Sequence, residues 1–202
     1  VEEHLLKGRP VKELLYTPPL EKTPIPKMSD IPFFADQTLI VLRNRGLIDP
    51  ENIDEAISRG AYEALAKVLT TMTPEQVIKE IKASGLRGRG GGGFPTGIKW
   101  ETCRNAHGDP KYIICNADEG DPGAFMDRST IESDPHAVIE GMCIGAYAVG
   151  SPEGYVYIRN EYPIALERLK TALKQAHDYN LLGKNIFDKG FDFDIRVVRG
   201  AG

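Results

Sequence analysis

The sequence predicts an α/β fold, that is, a layered structure with a largely parallel sheet. Short β-rich runs alternate along the chain with segments whose apolar residues recur at helical spacing. The β-rich runs are residues 111–115, residues 154–160 and the alternating set Phe191, Phe193, Ile195 and Val197. Strands that alternate with helices are typical of a parallel sheet with helices packed on it.

The first 32 residues are predicted to lie outside this fold. Residues 1–16 hold a short amphipathic run and are interpreted as the tail of a preceding domain. Residues 17–32 contain five prolines, a density typical of an extended tether. The composition becomes globular at Phe33, so the domain is predicted to occupy residues 33–202.

Three helices are predicted in the first part of this domain. The first begins with Asp49 as its cap, and the second spans residues 61–69. The third follows a capping box formed by Thr73 and Gln76. Before them, residues 38–42 are predicted to form a short strand or a buried turn.

Two more helices are predicted between the strands. Asp134 is expected to cap a helix that runs to Val149 and stops at Gly150. Residues 163–177 form the other, with an apolar side made by Leu166, Leu169 and Leu173.

The overall composition excludes several classes of protein. The net charge of −4 and the isoelectric point near 5.6 argue against a nucleic-acid partner. No stretch reaches the apolar length of a membrane span. Cys103, Cys115 and Cys143 are odd in number and widely spaced, which argues against a disulfide framework, a zinc site or a cluster here. We interpret them as buried free thiols in a cytoplasmic protein.

Residues 85–100 are the most unusual stretch, because seven of the sixteen residues are glycine. Glycine weakens helices and strands, so this density favours a backbone that bends sharply beside a flat or charged molecule. Arg87, Arg89 and Lys99 add positive charge, and Phe94 adds an aromatic face. The stretch therefore predicts a site for an anionic ligand with aromatic rings, although a flexible linker is an alternative.

Two familiar phosphate-binding patterns fail in this stretch. The spacing of Gly88, Gly90 and Gly93 matches the dinucleotide fingerprint, but a helix rather than a strand is predicted before it. A Walker A loop fails because Ile98 precedes the lysine and Trp100 stands where serine or threonine belongs.

A second candidate stretch follows the strand predicted at residues 111–115. The chain continues into a polar, acidic loop punctuated by glycines, residues 116–128. Loops at the ends of strands are common places for sites in α/β proteins.

Together the two stretches resemble the flavin- and NADH-binding (51 kDa-type) subunit of respiratory complex I. Its relatives include the diaphorase subunits of NAD-linked hydrogenases and formate dehydrogenases. The motifs are Arg87-Gly88-Arg89-Gly90-Gly91-Gly92-Gly93-Phe94-Pro95-Thr96-Gly97 and Asn116-Ala117-Asp118-Glu119-Gly120-Asp121-Pro122-Gly123. Their form is most similar to the beta subunit of NAD(H)-dependent [FeFe]-hydrogenases, a group that includes electron-bifurcating enzymes.

The resemblance implies a Rossmann-like flavin domain and an NADH:acceptor oxidoreductase. Hydride would pass between NAD(H) and FMN, and electrons would pass to or from iron–sulfur clusters of partner subunits. The resemblance covers about residues 40–202, so the chain is expected to stop before the flavin domain is complete. A [4Fe–4S] cluster is expected in the C-terminal part, and a [2Fe–2S] cluster in a thioredoxin-like domain upstream.

The resemblance also assigns site residues, by position in the two motifs. It assigns FMN binding to Gly88, Arg89, Gly90, Gly91, Lys99, Asn116, Asp118 and Glu119, and NADH binding to Gly92, Phe94 and Asp121. Respiratory members have glutamate where this chain has Asp121, and often a second aromatic residue where it has Thr102. No protein group is assigned a catalytic role, because the cofactor carries the reaction.

Two other functions remain open at this stage. The glycine-rich stretch also suits a nucleotide- or phosphate-binding module without redox chemistry. A carboxylate metal site on Asp118, Glu119, Asp121 and Asp127 is the second alternative, although these residues lack EF-hand spacing and histidine companions.

Overall fold

The structure is a computed structural model that describes residues 2–20 and 23–200. Its contacts divide the chain into two units, Val1–Val41 and Leu42–Gly202. The described part of the first unit contains only single turns and one short helix, α1 (Pro32–Ala35). Tyr16 and Ile25 form an isolated antiparallel bridge within it. Residues 21 and 22 of the predicted tether lie outside the described residues.

The second unit alternates helices and strands. Its helices are α2 (Ile53–Ser58), α3 (Glu63–Thr71), α4 (Pro74–Ser84), α5 (Thr96–Asn105), α6 (Met126–Ser133), α7 (Pro135–Val149) and α8 (Pro163–Asp178). Its strands are β1 (Tyr112–Ala117), β2 (Glu153–Arg159), β3 (Gly183–Ile186) and β4 (Phe191–Gly200).

The four strands form one sheet in the order β1-β2-β4-β3. The pairs β1–β2 and β2–β4 are parallel, and β3 pairs antiparallel with β4. The predicted α/β fold with a largely parallel sheet is therefore confirmed.

Helices pack on one face of the sheet. Residues from β2 and β4 that point to this face, such as Val156 and Phe193, are buried together with Ile139 of α7 and Leu169 of α8. The opposite face is open in the described chain, and Ile114 of β1 is 69% exposed. The predicted strand at residues 111–115 forms, but the prediction that it is buried is wrong, because β1 is an edge strand with one uncovered face.

Two of the predicted helices have the predicted ends. Thr73 accepts the backbone N–H of Gln76 at 3.3 Å, and the Gln76 side chain accepts the N–H of Thr73 at 2.7 Å. Asp134 accepts the N–H of Ala137 at the start of α7, and Gly150 ends α7 with a φ of 81°. Each helix is capped by residues adjacent to it in sequence, which explains why the sequence predicts its bounds.

The predicted start of the first helix is wrong. α2 begins at Ile53, and Asn52 caps it by accepting the N–H of Asp54. Asp49 instead accepts the N–H of Glu51 in the turn before the helix. The prediction for residues 38–42 is also wrong, because these residues are largely exposed and form no strand. An apolar run needs a neighbouring strand to pair with before it forms a strand itself.

Three elements of the second unit are absent from the sequence prediction: α5, α6 and β3. The start of α5 lies at the end of the glycine-rich stretch, and α6 begins inside the acidic loop. β3 has only four residues and starts with glycine, so its pattern is too short to indicate a strand.

A buried polar network links α7 to α8 and to the start of α3. His136 of α7 bonds through Nδ1 to the hydroxyl of Tyr62 at 2.8 Å and through Nε2 to Oε1 of Gln175 at 3.1 Å. Burial lowers the pKa of His136, and the bond to Gln175 only partly opposes this. Glu140 accepts the N–H of Leu65 at 3.0 Å, which provides a cap for α3.

None of the helices among the described residues is both long and apolar enough to cross a membrane.

Candidate functional site

The candidate site lies at the carboxyl edge of the sheet. Ala117 at the end of β1 is level with Ile158 of β2, which is level with Arg199 of β4. The polar loop that starts at Asp118 therefore leaves the sheet beside the ends of the two neighbouring parallel strands. Ligands of open α/β sheets bind outside this edge.

The glycine-rich loop closes on itself. Arg87 and Pro95 form an antiparallel bridge, and the N–H of Gly88 donates to the carbonyl of Phe94 at 2.9 Å. The Arg87 guanidinium also donates to the Gly93 carbonyl. Residues 89–92 form the tip of the loop, and α5 begins after it. The sequence prediction that a helix, α4, precedes the loop is confirmed.

The packing of α5 places this loop on the carboxyl side of the sheet. Near the end of α5, Arg104 donates to the carbonyl of Ala148, which lies at the end of α7. The end of α7 is at the amino edge, because β2 begins shortly afterwards at Glu153. The start of α5 and the loop before it therefore point toward the carboxyl edge.

At two positions of the loop, neither the backbone conformation nor the packing of the chain requires glycine. Gly91 and Gly93 have positive φ angles of 88° and 57°, which favour glycine. Gly90 and Gly92 have no such angle, and a Cβ atom added to either would meet nothing within 4 Å. Glycine at these two positions fits a backbone against which a ligand lies closely.

Gly97 has a different role. A Cβ atom there would lie 2.5 Å from Cγ and 2.7 Å from the backbone nitrogen of Lys82. The close contact of α4 with α5 at this point holds both ends of the loop.

The charged and aromatic side chains of the loop face solvent. Arg89 and Lys99 are exposed, and their side chains make no hydrogen bond or ion pair with the residues that the structure describes. The nearby carboxylate of Glu101 binds Lys82 at 2.9 Å. The Phe94 ring is 52% exposed.

In the acidic loop, Asp118 has an unusual environment. Its Oδ1 is buried and has no hydrogen-bond partner among the described residues. A Cβ atom at Gly200 would lie 2.8 Å from this oxygen. Asn116 is exposed and accepts the N–H of Asp118 at 3.0 Å, and Asp121 is exposed in the following turn. A buried carboxylate oxygen without a donor fits a ligand that supplies one.

Glu119 is engaged by the protein. It is 8% exposed, and its Oε1 accepts the N–H groups of Met126 and Asp127 at the start of α6. Its Oε2 accepts the hydroxyl of Tyr162 at 3.2 Å. These contacts make the Glu119 side chain a support for the loop.

Sequence reasoning missed several residues beside the site. Arg159 at the end of β2 donates to the Glu119 carbonyl at 2.5 Å and lies over the ring of Tyr162 at 6.0 Å. Arg128 lies 5.4 Å from the ring of Phe125. Arg159 also pairs with Glu161, at 3.5 Å. Its place at the end of a parallel strand is the signal that points to the site.

Burial changes the acidity of two groups near the acidic loop. It raises the pKa of Asp127, and the nearby Glu119 carboxylate adds to this effect. It also raises the pKa of the Cys115 thiol to about 11, which keeps the thiol protonated at neutral pH. All three cysteines are free, as predicted, but only Cys143 is fully buried.

The alternative of a carboxylate metal site has no geometric support. The described residues contain no group of three or more histidine, cysteine, aspartate or glutamate side chains arranged to hold a metal ion.

Comparison with known proteins gives the family. Residues 81–202 match the family described as the Nuo51 FMN-binding domain. The chain is 59% identical over 166 residues to the NADP-reducing hydrogenase subunit HndC of Solidesulfovibrio fructosivorans, a match that covers 82% of this chain and 34% of the relative. It is 49% identical over 170 residues to an NADH-quinone oxidoreductase subunit of Aquifex aeolicus, a match that covers 84% of this chain and 39% of that relative.

Solved structures agree with these relatives. The crystal structure of an NAD⁺-reducing [NiFe]-hydrogenase in the H₂-reduced state aligns with a TM-score of 0.55 and 32% identity. The alignment covers 68% of this chain and 25% of the hydrogenase chain. The chain thus spans between a third and two fifths of the length of the two curated relatives above. It belongs to the family of Nuo51 FMN-binding domains.

Proposed function

We propose that this chain is the FMN- and NADH-binding part of an NADH:acceptor oxidoreductase. The observation that carries the proposal is the combination of an open glycine-rich loop and an unpaired buried carboxylate oxygen at the carboxyl edge of the sheet. There, Gly90 and Gly92 leave open space where side chains would stand, and Asp118 buries an oxygen that lacks a donor among the described residues. Relatives named as NADH-quinone oxidoreductase and NAD-reducing hydrogenase subunits support it.

The charged and hydrogen-bonding groups of the site fit FMN. Arg89 and Lys99 are free to bind the phosphate, since charge-assisted hydrogen bonds to phosphate are strong. Asp118 accepts a hydrogen bond from a ribityl hydroxyl, and the exposed Asn116 amide bonds the ring edge. Glu119 acts indirectly, because it holds the loop that carries Asp118 against α6.

The backbone of the loop sets how closely the cofactor approaches. Gly88, Gly90 and Gly91 present no side chain, so a flat ring system approaches the backbone directly. FMN, when bound, supplies the hydride-accepting chemistry, and the protein supplies its position and electrostatics.

The nucleotide occupies the other side of the loop. Gly92 provides further open backbone, and the exposed Phe94 ring stacks on the adenine. Asp121 places a carboxylate beside the pyrophosphate of the nucleotide.

We further propose that the protein works with iron–sulfur subunits in a larger redox complex. The [4Fe–4S] and [2Fe–2S] clusters of our sequence prediction belong to parts outside residues 1–202. HndC is named for the reduction of NADP, so NADPH as well as NADH belongs in the test of the nucleotide.

The test uses the complete protein expressed from its gene. We expect it to carry FMN and to oxidise NADH with an artificial electron acceptor. Gly90→Ala adds a methyl group to the site, and Gly141→Ala adds one to an equally open position on α7. Gly90→Ala should lower FMN content, whereas Gly141→Ala should not; equal FMN content in both would contradict the proposal.

The non-redox nucleotide-binding module remains the second candidate, because the loop alone also suits a phosphate. A protein of that kind would bind a nucleotide but would be colourless and would not oxidise NADH or NADPH. The visible spectrum and the activity assay therefore separate the two functions.

A further inference from the structure

Two buried polar atoms at the carboxyl edge have no partner among the described residues. They are Oδ1 of Asp118 and Nε of Arg159. Asp118 follows Ala117 directly, and Arg159 follows Ile158, the residue that pairs with Ala117. Asp118 and Arg159 therefore leave the ends of two neighbouring strands at the same level, where Arg159 pairs with Gly200 of β4. Burying an unpaired polar atom costs free energy. An unpaired acceptor and an unpaired donor at the same level of the sheet therefore need an explanation.

The two atoms have complementary needs. The carboxylate oxygen of Asp118 requires a donor, and the N–H of Arg159 requires an acceptor. They do not bond each other. A hydroxyl group satisfies both, because it donates its proton to the carboxylate and accepts from the guanidinium with its oxygen. A phosphate oxygen brings no proton at neutral pH and is repelled by Asp118, and an ammonium group accepts nothing.

The Arg159 guanidinium is fixed by other contacts. It donates through Nη1 to the Glu119 carbonyl at 2.5 Å and through Nη2 to Glu161 at 3.5 Å. The direction of its Nε–H is therefore set without a ligand, which reduces the entropy lost on binding. Gly200 contributes by the absence of a side chain, since a Cβ atom would meet Oδ1 of Asp118 at 2.8 Å.

We propose that Asp118 and Arg159 together bind one hydroxyl of the ribityl chain of FMN. Arg159 is thus an additional cofactor-binding residue, and the pair selects flavins that carry a polyhydroxylated chain. The inference rests on the proposed function, in which Asp118 lies on the flavin side of the site. The ribose hydroxyls of the nucleotide are the other source of the same chemical group, and the binding experiment separates the two.

The test measures dissociation constants on the flavin-depleted complete protein. One ligand is FMN, and the other is an analogue in which a plain five-carbon chain joins the flavin ring to the phosphate. The wild type should bind FMN about 10- to 100-fold more tightly than the analogue, the range expected for a hydrogen bond to a charged group. Arg159→Gln should lose most of this preference and should bind the analogue as the wild type does.

Two further variants sharpen the comparison. Arg159→Lys keeps the positive charge that faces the Glu119 carbonyl but lacks Nε, so it should lose the same preference. Arg196→Gln removes an exposed arginine from β4 that pairs with Glu153 on the open face of the sheet. It should leave both dissociation constants unchanged.

Four results would overturn the inference. Equal weakening of FMN and the analogue in Arg159→Gln would make Arg159 a purely structural residue. Unchanged binding of both would mean that only water lies between the two atoms. An effect on the dissociation constant of NADH, with that of FMN unchanged, would move the pair to the nucleotide. If the wild type binds neither flavin, the proposed function itself is refuted, and the inference with it.

Discussion

Phe94 keeps about half of its side chain in solvent beside a loop of open glycines. A single exposed aromatic ring is common on protein surfaces, but beside this loop its face is available for stacking. The proposed partner is the adenine of the nucleotide, which stacks on aromatic rings whatever the rest of the molecule is.

Phe94→Ala should therefore weaken NADH binding without removing FMN. Stacking of a base on an aromatic side chain is worth about 1–3 kcal/mol, so KM for NADH should rise about fivefold or more while kcat changes little. Phe94→Tyr keeps a ring and is the matched control. Loss of FMN with an unchanged KM would place Phe94 on the flavin side.

Asp121 carries a negative charge next to the proposed position of a doubly charged pyrophosphate. At about 7 Å and an effective dielectric constant near 40, the repulsion is on the order of 1 kcal/mol per charge. Asp121→Asn should tighten NAD⁺ binding several-fold, as measured by titration at low ionic strength. Asp121→Glu keeps the charge and should not. Weaker binding by Asp121→Asn would mean that the carboxylate is a hydrogen-bonding ligand of the nucleotide.

The sequence motifs identify residues such as Asp118, but they do not identify the residues and contacts around them. Asp118 belongs to a long motif, whereas the orphan Nε of Arg159 becomes visible only when the neighbouring strand is placed beside it. Glu119 matches a flavin-binding position in the motif, yet its side chain caps α6. A sequence pattern gives the residue type at a position but not the direction in which its side chain points.

The same contrast separates the helices that were predicted from those that were not. α4 and α7 carry their caps in adjacent residues, so the sequence shows where they begin and end. α6 is capped by Glu119, seven residues before its first helical residue, and Phe125 precedes it in a left-handed conformation. α5 contains a buried glycine whose purpose is apparent only from its contact with α4.

That contact gives a prediction about stability. Gly97→Ala places a methyl group within 2.5–2.9 Å of Lys82 atoms, including backbone, so α4 and α5 must move apart. We expect a loss of about 1–3 kcal/mol in the free energy of unfolding, the usual cost of overpacking. Urea unfolding measures it, and Gly141→Ala is the control because its added methyl group meets nothing. Equal unfolding midpoints for the two variants would show that the helices adjust freely.

Three helices of the second unit, α3, α7 and α8, are joined by the buried network around His136. The pKa of this imidazole is lowered by burial, so the folded state takes up its proton less readily than the unfolded state. The contribution of His136 to stability is therefore complete above the unfolded pKa, about 6.5, and is lost as the pH falls below it.

Urea unfolding of the wild type at about pH 7.5 and about pH 5.5 should show a lower midpoint at the acidic pH. In His136→Gln this loss between the two pH values should be smaller, because glutamine does not titrate. A loss of the same size in the variant would assign the pH dependence to other groups.

The most direct measurement is an anaerobic titration of the flavin-depleted complete protein, first with FMN and then with NADH or NADPH. The carboxyl edge of the sheet and the glycine-rich loop should bind one FMN per chain, and the reduced nucleotide should then bleach the flavin absorption. Failure to bind FMN, or bound flavin that neither nucleotide bleaches, would contradict the proposed function.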